Sequence, residues 1–289
     1  MKKLITKTYK QIYKYINKKG IKSNFLRNAN KIFTKHLKSN FTVIDGHKIY
    51  LDPTDILQLS TRGFHEPYLT SIAKEDIKEG DIVIDIGAHI GYYTLIFAKL
   101  VGETGKVFAF EPHPDNFALL KKNIEINNYK NIIPIQKAVS NTTGTIKLYL
   151  DKTGSARHST VKGNQYCKES YVEIGCITLD QFLDDTKVDF VKMDTEGGEF
   201  NVFKGMLNII KENKNLKIIT EFTPIFFEKQ GVKPEDYINA LKENNFKIFN
   251  INEDKKLKEP FIMADLSKYI KSSHPESVNT NLLCIKCEN

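Results

Sequence analysis

The residues equipped for chemistry begin with an acid at the end of a short strand. Ile82-Val83-Ile84 is a β-branched run that reaches Asp85, and Gly87, Ala88 and Gly91 follow before an apolar pattern of helical period. The order reads as strand, tight turn, helix. Small residues let the backbone approach a ligand, and a helix start presents N–H groups that lack intrahelical partners. The spacing is D-x-G-x-x-x-G, with His89 at the third position of what would otherwise be a G-x-G-x-x-G fingerprint. An acid here suits a ligand with a cationic amine better than one with a pyrophosphate.

A second acid, Glu111, ends the apolar run Val107-Phe108-Ala109-Phe110, 20 residues beyond Gly91. That is one helix and one turn later, where a carboxylate can accept from both hydroxyls of a ribose. S-adenosylmethionine carries an ammonium, a sulfonium and a ribose, and it is the cofactor this pair of acids predicts. Ala138, just past a third strand, falls near the expected place of the adenine. His89 is expected to turn its side chain away from the cofactor.

More acids follow two later strand-like runs: Asp194 and Glu196 after one, Glu221 at the end of the other. Methyl transfer from a sulfonium is an in-line displacement of an activated group, so the protein chiefly positions the acceptor and excludes water. A hydroxyl acceptor must also lose a proton. Asp194, Glu196, Glu221, His113 and His158 are the candidate bases, and the sequence does not choose among them. A carboxylate becomes a stronger base when desolvated beside other acids. The same three carboxylates could instead hold Mg²⁺ and acidify the acceptor, but no metal is assigned. Cys284-x-x-Cys287 has metal-ligand spacing without a second pair, and with Cys167 and Cys176 it reads as reduced thiols. Phe226-Phe227 reads as core or pocket wall, on the side where a sugar face could stack.

Seven segments in order carry a family resemblance: GFHEPYLT (63–70), VIDIGAHIGYYT (83–94), FAFEPHPDNFALLKKNIEIN (108–127), AVSNTTGTIKLYL (138–150), ITLDQFL (177–183), VDFVKMDTEGGEFNVFKG (188–205) and IITEFTP (218–224). Together they resemble the FkbM-type methyltransferases, within the class I S-adenosylmethionine-dependent enzymes. The resemblance implies methylation of a hydroxyl, commonly on a sugar or natural product. It implies that Asp85, Gly87, Ala88 and Gly91 cradle the methionine side and that Glu111 holds the ribose. Asp194 and Glu196 would lie beside the transferring methyl, and Glu66 and Tyr68 would close over the cofactor. Two other functions remain on the residues alone. One is N-methylation of an amine or protein side chain, which needs no strong base. The other is a non-catalytic scaffold at a membrane surface.

The elements that position these residues follow from pattern. The body alternates strand and helix, with core strands expected near 81–86, 106–111, 132–137, 188–193, 216–222, 246–250 and 281–286. This predicts a Rossmann-like, seven-stranded, mostly parallel sheet with helices on both faces. Pro134 places the third strand at an edge. Strands at 145–150 and 171–177 form an excursion, and the polar stretch 151–170 reads as a long loop of the kind that covers sites. Asp45-Gly46, between two apolar runs, marks a hairpin, and a helix is expected over 66–78. The domains are expected as 1–60, a basic helical and hairpin extension, and 61–289, the catalytic body.

The chain of 289 residues is 40% hydrophobic and 27% charged, the composition of a globular protein. No stretch approaches the ~18 apolar residues of a membrane span, and no secretory signal is recognisable, so the cytoplasm is the expected location. Residues 1–48 hold 13 Lys and Arg against one acid, so the net charge of +8 belongs to this segment. Helices over 3–18 and 24–38 would carry it. They can lie in solvent or rest peripherally on an anionic membrane, and no nucleic-acid motif accompanies the charge. Oligomeric state is not readable.

Overall fold

The computed structural model describes residues 40–151, 154–163, 167–184, 186–263 and 279–287. The two basic helices expected before residue 39 lie outside the described residues. Strands β1 (Phe41–Ile44) and β2 (His47–Tyr50) pair antiparallel. Asp45 and Gly46 between them take φ of 50° and 89°, as the Asp-Gly turn predicts. Ile44, Ile49 and Leu51 of the hairpin are buried in one cluster with Val83 and Leu95 of the body. Burial of each such side chain is worth roughly 1.5–3 kcal/mol. The Asn123 and Asn127 side chains also bond the backbone of Tyr50 and Lys48.

The body begins with α1 (Leu59–Arg62), α2 (Pro67–Asp76), β3 (Ile82–Ile86), α3 (Tyr92–Val101), β4 (Lys106–Phe110), α4 (Pro114–Ile126) and β5 (Ile132–Ile135). An excursion follows as β6 (Ala138–Val139), β7 (Gly144–Asp151) and β8 (Cys167–Ile177). The chain then returns through α5 (Leu179–Phe182), β9 (Phe190–Met193), α6 (Glu199–Lys204), α7 (Leu207–Glu212) and β10 (Lys217–Phe222). It closes with α8 (Pro224–Lys229), α9 (Pro234–Glu243), β11 (Phe246–Asn252), β12 (Leu257–Pro260) and β13 (Thr280–Lys286). Pro67, Pro114, Pro224 and Pro234 each sit in the first turn of a helix, where no intrahelical N–H is lost. No helix among the described residues is long and apolar enough to cross a membrane.

The main sheet runs β12-β11-β13-β10-β9-β3-β4-β5. Pairing is parallel from β10 through β5, and β13 lies antiparallel to both of its neighbours. It has eight strands where seven were expected. The extra strand, β12, is an exposed edge with no buried residue, so it leaves no apolar alternation to read. Pro134 does lie on an edge strand. The third core strand stops at Ile135, and Ala138–Val139 pair instead with β8 in a separate sheet of order β6-β8-β7.

Along β3 the pleat sends Val83 and Asp85 to one face, Ile84 and Ile86 to the other, and each face has its own apolar cluster. The chain leaves β3 for β4 on one side and reaches β9 on the other. Strand order therefore reverses at β3, and a crevice opens beyond the carboxyl ends of β3, β4 and β9.

Candidate active site

The turns after β3 and β9 meet at Gly87. A side chain there would run into the carbonyl oxygen of Asp194, and φ is +79°, so the position demands glycine. The Gly87 and Ala88 amides donate to the Phe110 carbonyl at the tip of β4, each at 3.0 Å. They lock the two tips together. The amide of His89, itself in the left-handed region at φ 51°, donates to Glu111 Oε2 at 2.8 Å.

Glu111 is held from the other side by the His113 amide, which donates to Oε1 at 2.9 Å. Asn116 Nδ2 lies 3.5 Å from the same oxygen. Burial nevertheless outweighs these donors and pushes the carboxyl up to about 7. The amides fix the carboxylate plane and leave each oxygen capacity to accept again, which suits a vicinal diol.

Two compartments occupy the crevice. The larger is lined by Glu111, Pro112, Ala138, Asp194 and Glu196, among others. The smaller is lined by Asp85, Ala88, Tyr92, Tyr93, Lys192 and Asp194, among others. Gly87, His89, Ala156 and Asp194 border both.

Residues 154–163 of the long loop fold over the crevice. Ser155 accepts from Asn116 Nδ2 through its carbonyl at 2.9 Å, and its hydroxyl bonds His89 Nε2 at 2.8 Å. Ser159 Oγ donates to the Glu196 carbonyl at 2.6 Å. Val161 packs so closely on Gly197 that a side chain there would collide with it and with Phe226. The His158 ring packs against His113 at a tilt of 41° with centroids 4.3 Å apart, and burial together with His113 pushes its imidazole down to about 4.

At the far end Asp194, Glu196 and Glu221 each place one carboxylate oxygen within 4.8 Å of the others. Burial and the charges of Asp194 and Glu199 lift Glu196 to about 8, with Arg157 opposing. Glu221 rises well above its ordinary value through burial and the charges of Glu196, Asp194 and Glu199. Its Oε2 is buried with no hydrogen-bond partner among the described residues. Burial works to raise Asp194, but the charge and hydrogen bond of Lys192, 3.0 Å away, outweigh it and lower its pKa. Glu199 accepts from Thr195 and Gly197 and serves the turn itself.

Most of the sequence-derived residues meet in the crevice: Asp85, Gly87, Ala88, Glu111, Ala138, Asp194 and Glu196 line it. Gly91 lies beneath it, starting α3 at φ 92° with no room for a side chain beside Leu120. Glu66 lines neither compartment, for its carboxylate accepts from Tyr93 and Asn281. His113 contributes its amide to Glu111 while its ring packs at a tilt against His158. The expectation for His89 is corrected: its ring turns into the crevice because Ser155 of the covering loop bonds it there. Phe226 and Phe227 are each only 1% exposed, so they are core and offer no stacking face. Lys192 went unnoticed. The signal was present, since a lysine inside the buried run FVKM is rarely tolerated without a partner.

These residues fit S-adenosylmethionine. Asp85 is fully buried, and its Oδ1 lacks a hydrogen-bond partner among the described residues, as a receptor for a cation should. Its Oδ2 accepts from Thr94 at 2.5 Å, which fixes the carboxylate. Glu111 stands in the larger compartment with the geometry for a diol, beside Pro112 and Ala138, which offer an apolar wall.

Similarity to known proteins agrees. The model of the methyltransferase FkbM domain matches residues 85–248, more than half of the chain. A model of protein-L-isoaspartate(D-aspartate) O-methyltransferases matches residues 11–140. Hexuronic acid methyltransferase AglP of Haloferax volcanii is 29% identical over 185 residues, covering 62% of this chain and 70% of that protein. Methyltransferase sdnD of Sordaria araneosa is 23% identical over 211 residues, covering 62% and 78%. Among solved structures, methyltransferase FkbM of Methylobacillus flagellatus shares 14% identity at a TM-score of 0.42, covering 78% of this chain and 52% of that one. An S-adenosylmethionine-dependent O-methyltransferase of Thermotoga maritima shares 14% at 0.45, covering 86% and 78%. With its motif turns meeting at one crevice and the family model spanning them, this chain belongs to the FkbM methyltransferases and takes S-adenosylmethionine as methyl donor.

Proposed function

We propose that the protein transfers a methyl group to a hydroxyl of a saccharide or related hydroxylated metabolite, with Glu196 as general base. The observation that carries this reading is the position of Glu196. It lines the same compartment as Glu111 and Ala138, and crowding by Asp194 and Glu199 within a buried site makes it a stronger base than an ordinary carboxylate. Base strength near the working pH is what deprotonation of an alcohol calls for. S-adenosylmethionine supplies an electrophilic methyl on its sulfonium. Glu111 and the locked tips of β3 and β4 would fix the donor, and residues 154–163 would keep water out. The acceptor proton would pass to a Glu196 carboxylate oxygen as the hydroxyl oxygen takes the methyl. The relative named as a hexuronic acid methyltransferase makes sugars the first acceptors to try.

The acid cluster also favours a second reading, in which a cationic amine is the acceptor. Labelled S-adenosylmethionine offered with uronic acids, neutral sugars, glycolipids and amines separates the two. Label on a sugar oxygen supports the first, and label only on amines replaces it. Mg²⁺ and a chelator belong in the same assay. If turnover requires the ion, the three carboxylates act as its ligands and Glu196 is not the base.

A further inference from the structure

The smaller compartment holds a charge that the sequence motifs do not explain. Lys192 stands in the middle of β9, directly beside Asp85 of β3 in the parallel register. Both side chains leave the same face of the sheet, and both line the compartment. Lys192 is 4% exposed and Asp85 is fully buried. The Lys192 ammonium has three N–H donors, and one of them reaches Asp194 Oδ2 at 3.0 Å. The face of the Tyr93 ring lies 4.7 Å from Nζ. Asp85 Oδ1, as above, accepts from no group among the described residues.

A buried lysine is costly unless its charge is matched. Burial works to lower its pKa, but Asp194, Asp85 and Glu66 outweigh this and raise it, so the group is a cation. Asp194 alone would match it. The additional acid, Asp85, leaves the compartment with two carboxyl groups facing one ammonium, and with donors and an acceptor oxygen not engaged among the described residues. A guest that completes this set offers an ammonium to Asp85 and a carboxylate to Lys192. It also carries one more positive charge than negative. The amino-acid end of a sulfonium cofactor has that make-up.

We infer that Lys192 and Asp85 form a paired receptor for the zwitterionic amino-acid end of S-adenosylmethionine, with Lys192 binding its carboxylate and Asp85 its ammonium. Lys192 is thus a binding residue for the donor, and its bond to Asp194 ties donor binding to the acid cluster on the acceptor side. The inference rests on S-adenosylmethionine as the donor and is independent of which acceptor is methylated.

The test is calorimetric and needs no turnover. Wild-type protein is titrated with S-adenosylmethionine, its decarboxylated analogue and 5′-methylthioadenosine, which lacks the whole amino-acid end. The decarboxylated compound should bind about 10- to 100-fold more weakly than S-adenosylmethionine, the scale of a lost charge-assisted hydrogen bond. In Lys192→Met that preference should vanish, with 5′-methylthioadenosine binding retained as proof of a folded nucleoside site. Equal binding of the two sulfonium compounds by wild type, or a preference that survives in Lys192→Met, overturns the inference. Failure of wild type to bind S-adenosylmethionine at all removes the donor assignment beneath it. If Lys192→Met does not fold, the ¹⁵Nζ resonance of Lys192 in lysine-labelled wild type decides. It should shift with S-adenosylmethionine and not with the decarboxylated analogue, and equal shifts with both overturn the inference.

Discussion

The two ends of the crevice are built on opposite principles. At the end proposed to hold the donor, the carboxylate of Glu111 is gripped by backbone amides of His89 and His113, and the strand tips are locked by Gly87 and Ala88 bonding Phe110. At the end proposed for the acceptor, Asp194, Glu196 and Glu221 face one another, and Lys192 neutralises only part of their charge. Amides placed by a fixed turn give geometry that does not depend on the acceptor. Crowded acids give reactivity, at a cost in stability that the surrounding fold must offset. On the proposed assignment, the donor end is built to hold and the acceptor end to react.

Glu196→Gln keeps shape and removes the proposed base. The expected result is a fall in kcat of about 10²- to 10⁴-fold, with donor affinity from calorimetry nearly unchanged. Equal losses in both would erase the division between the two ends. Gly87→Ala should act at the donor end with the next largest effect, because its methyl enters the space of the Asp194 carbonyl. We expect donor binding weakened by more than about 10-fold and a lowered melting temperature, of the order seen for strained backbone positions at roughly 1–3 kcal/mol. Normal donor binding by a normally stable variant would show that the tips can part.

Protons should distinguish the ends as well. Glu196 must be ionised to act, and its pKa is pushed up to about 8, so kcat should fall as pH drops below about 8. Glu111 must be ionised to accept from the ribose, and its value is about 7, so donor affinity should fall as pH drops below about 7. Two separate limbs, one in turnover and one in binding, are the expected pattern. A single shared limb would merge the two sites into one titrating unit. The smallest effect is expected from Ser155→Ala. It removes one hydroxyl contact to His89 and leaves the carbonyl bond to Asn116, so donor affinity should weaken by only about 2- to 10-fold. A larger loss would make the covering loop a principal part of the donor site.

Local pattern made much of this legible. Asp45-Gly46 announced its hairpin, Pro134 its edge strand, and the acids Asp85 and Glu111 their strand tips. Each depends on a few neighbouring residues and a fixed backbone preference. Strand β12 escaped because an exposed polar edge carries no burial signal. His89 was misjudged because its direction is set by Ser155, 66 residues away. Lys192 was overlooked because its meaning lies in lateral register: only pairing of β9 with β3 puts it beside Asp85.

The amino-acid sequence alone determined the family, the alternating architecture, the donor and the roster of acids, since turn chemistry and side-chain period act over short stretches of chain. The tertiary structure decided which acids crowd together, which are gripped by amides, where the loop at 154–163 lies, and that a lysine stands beside Asp85 and bonds Asp194. Those outcomes depend on distances between residues far apart in sequence. Burial and charge act through such distances, and they set the pKa values on which the chemistry turns.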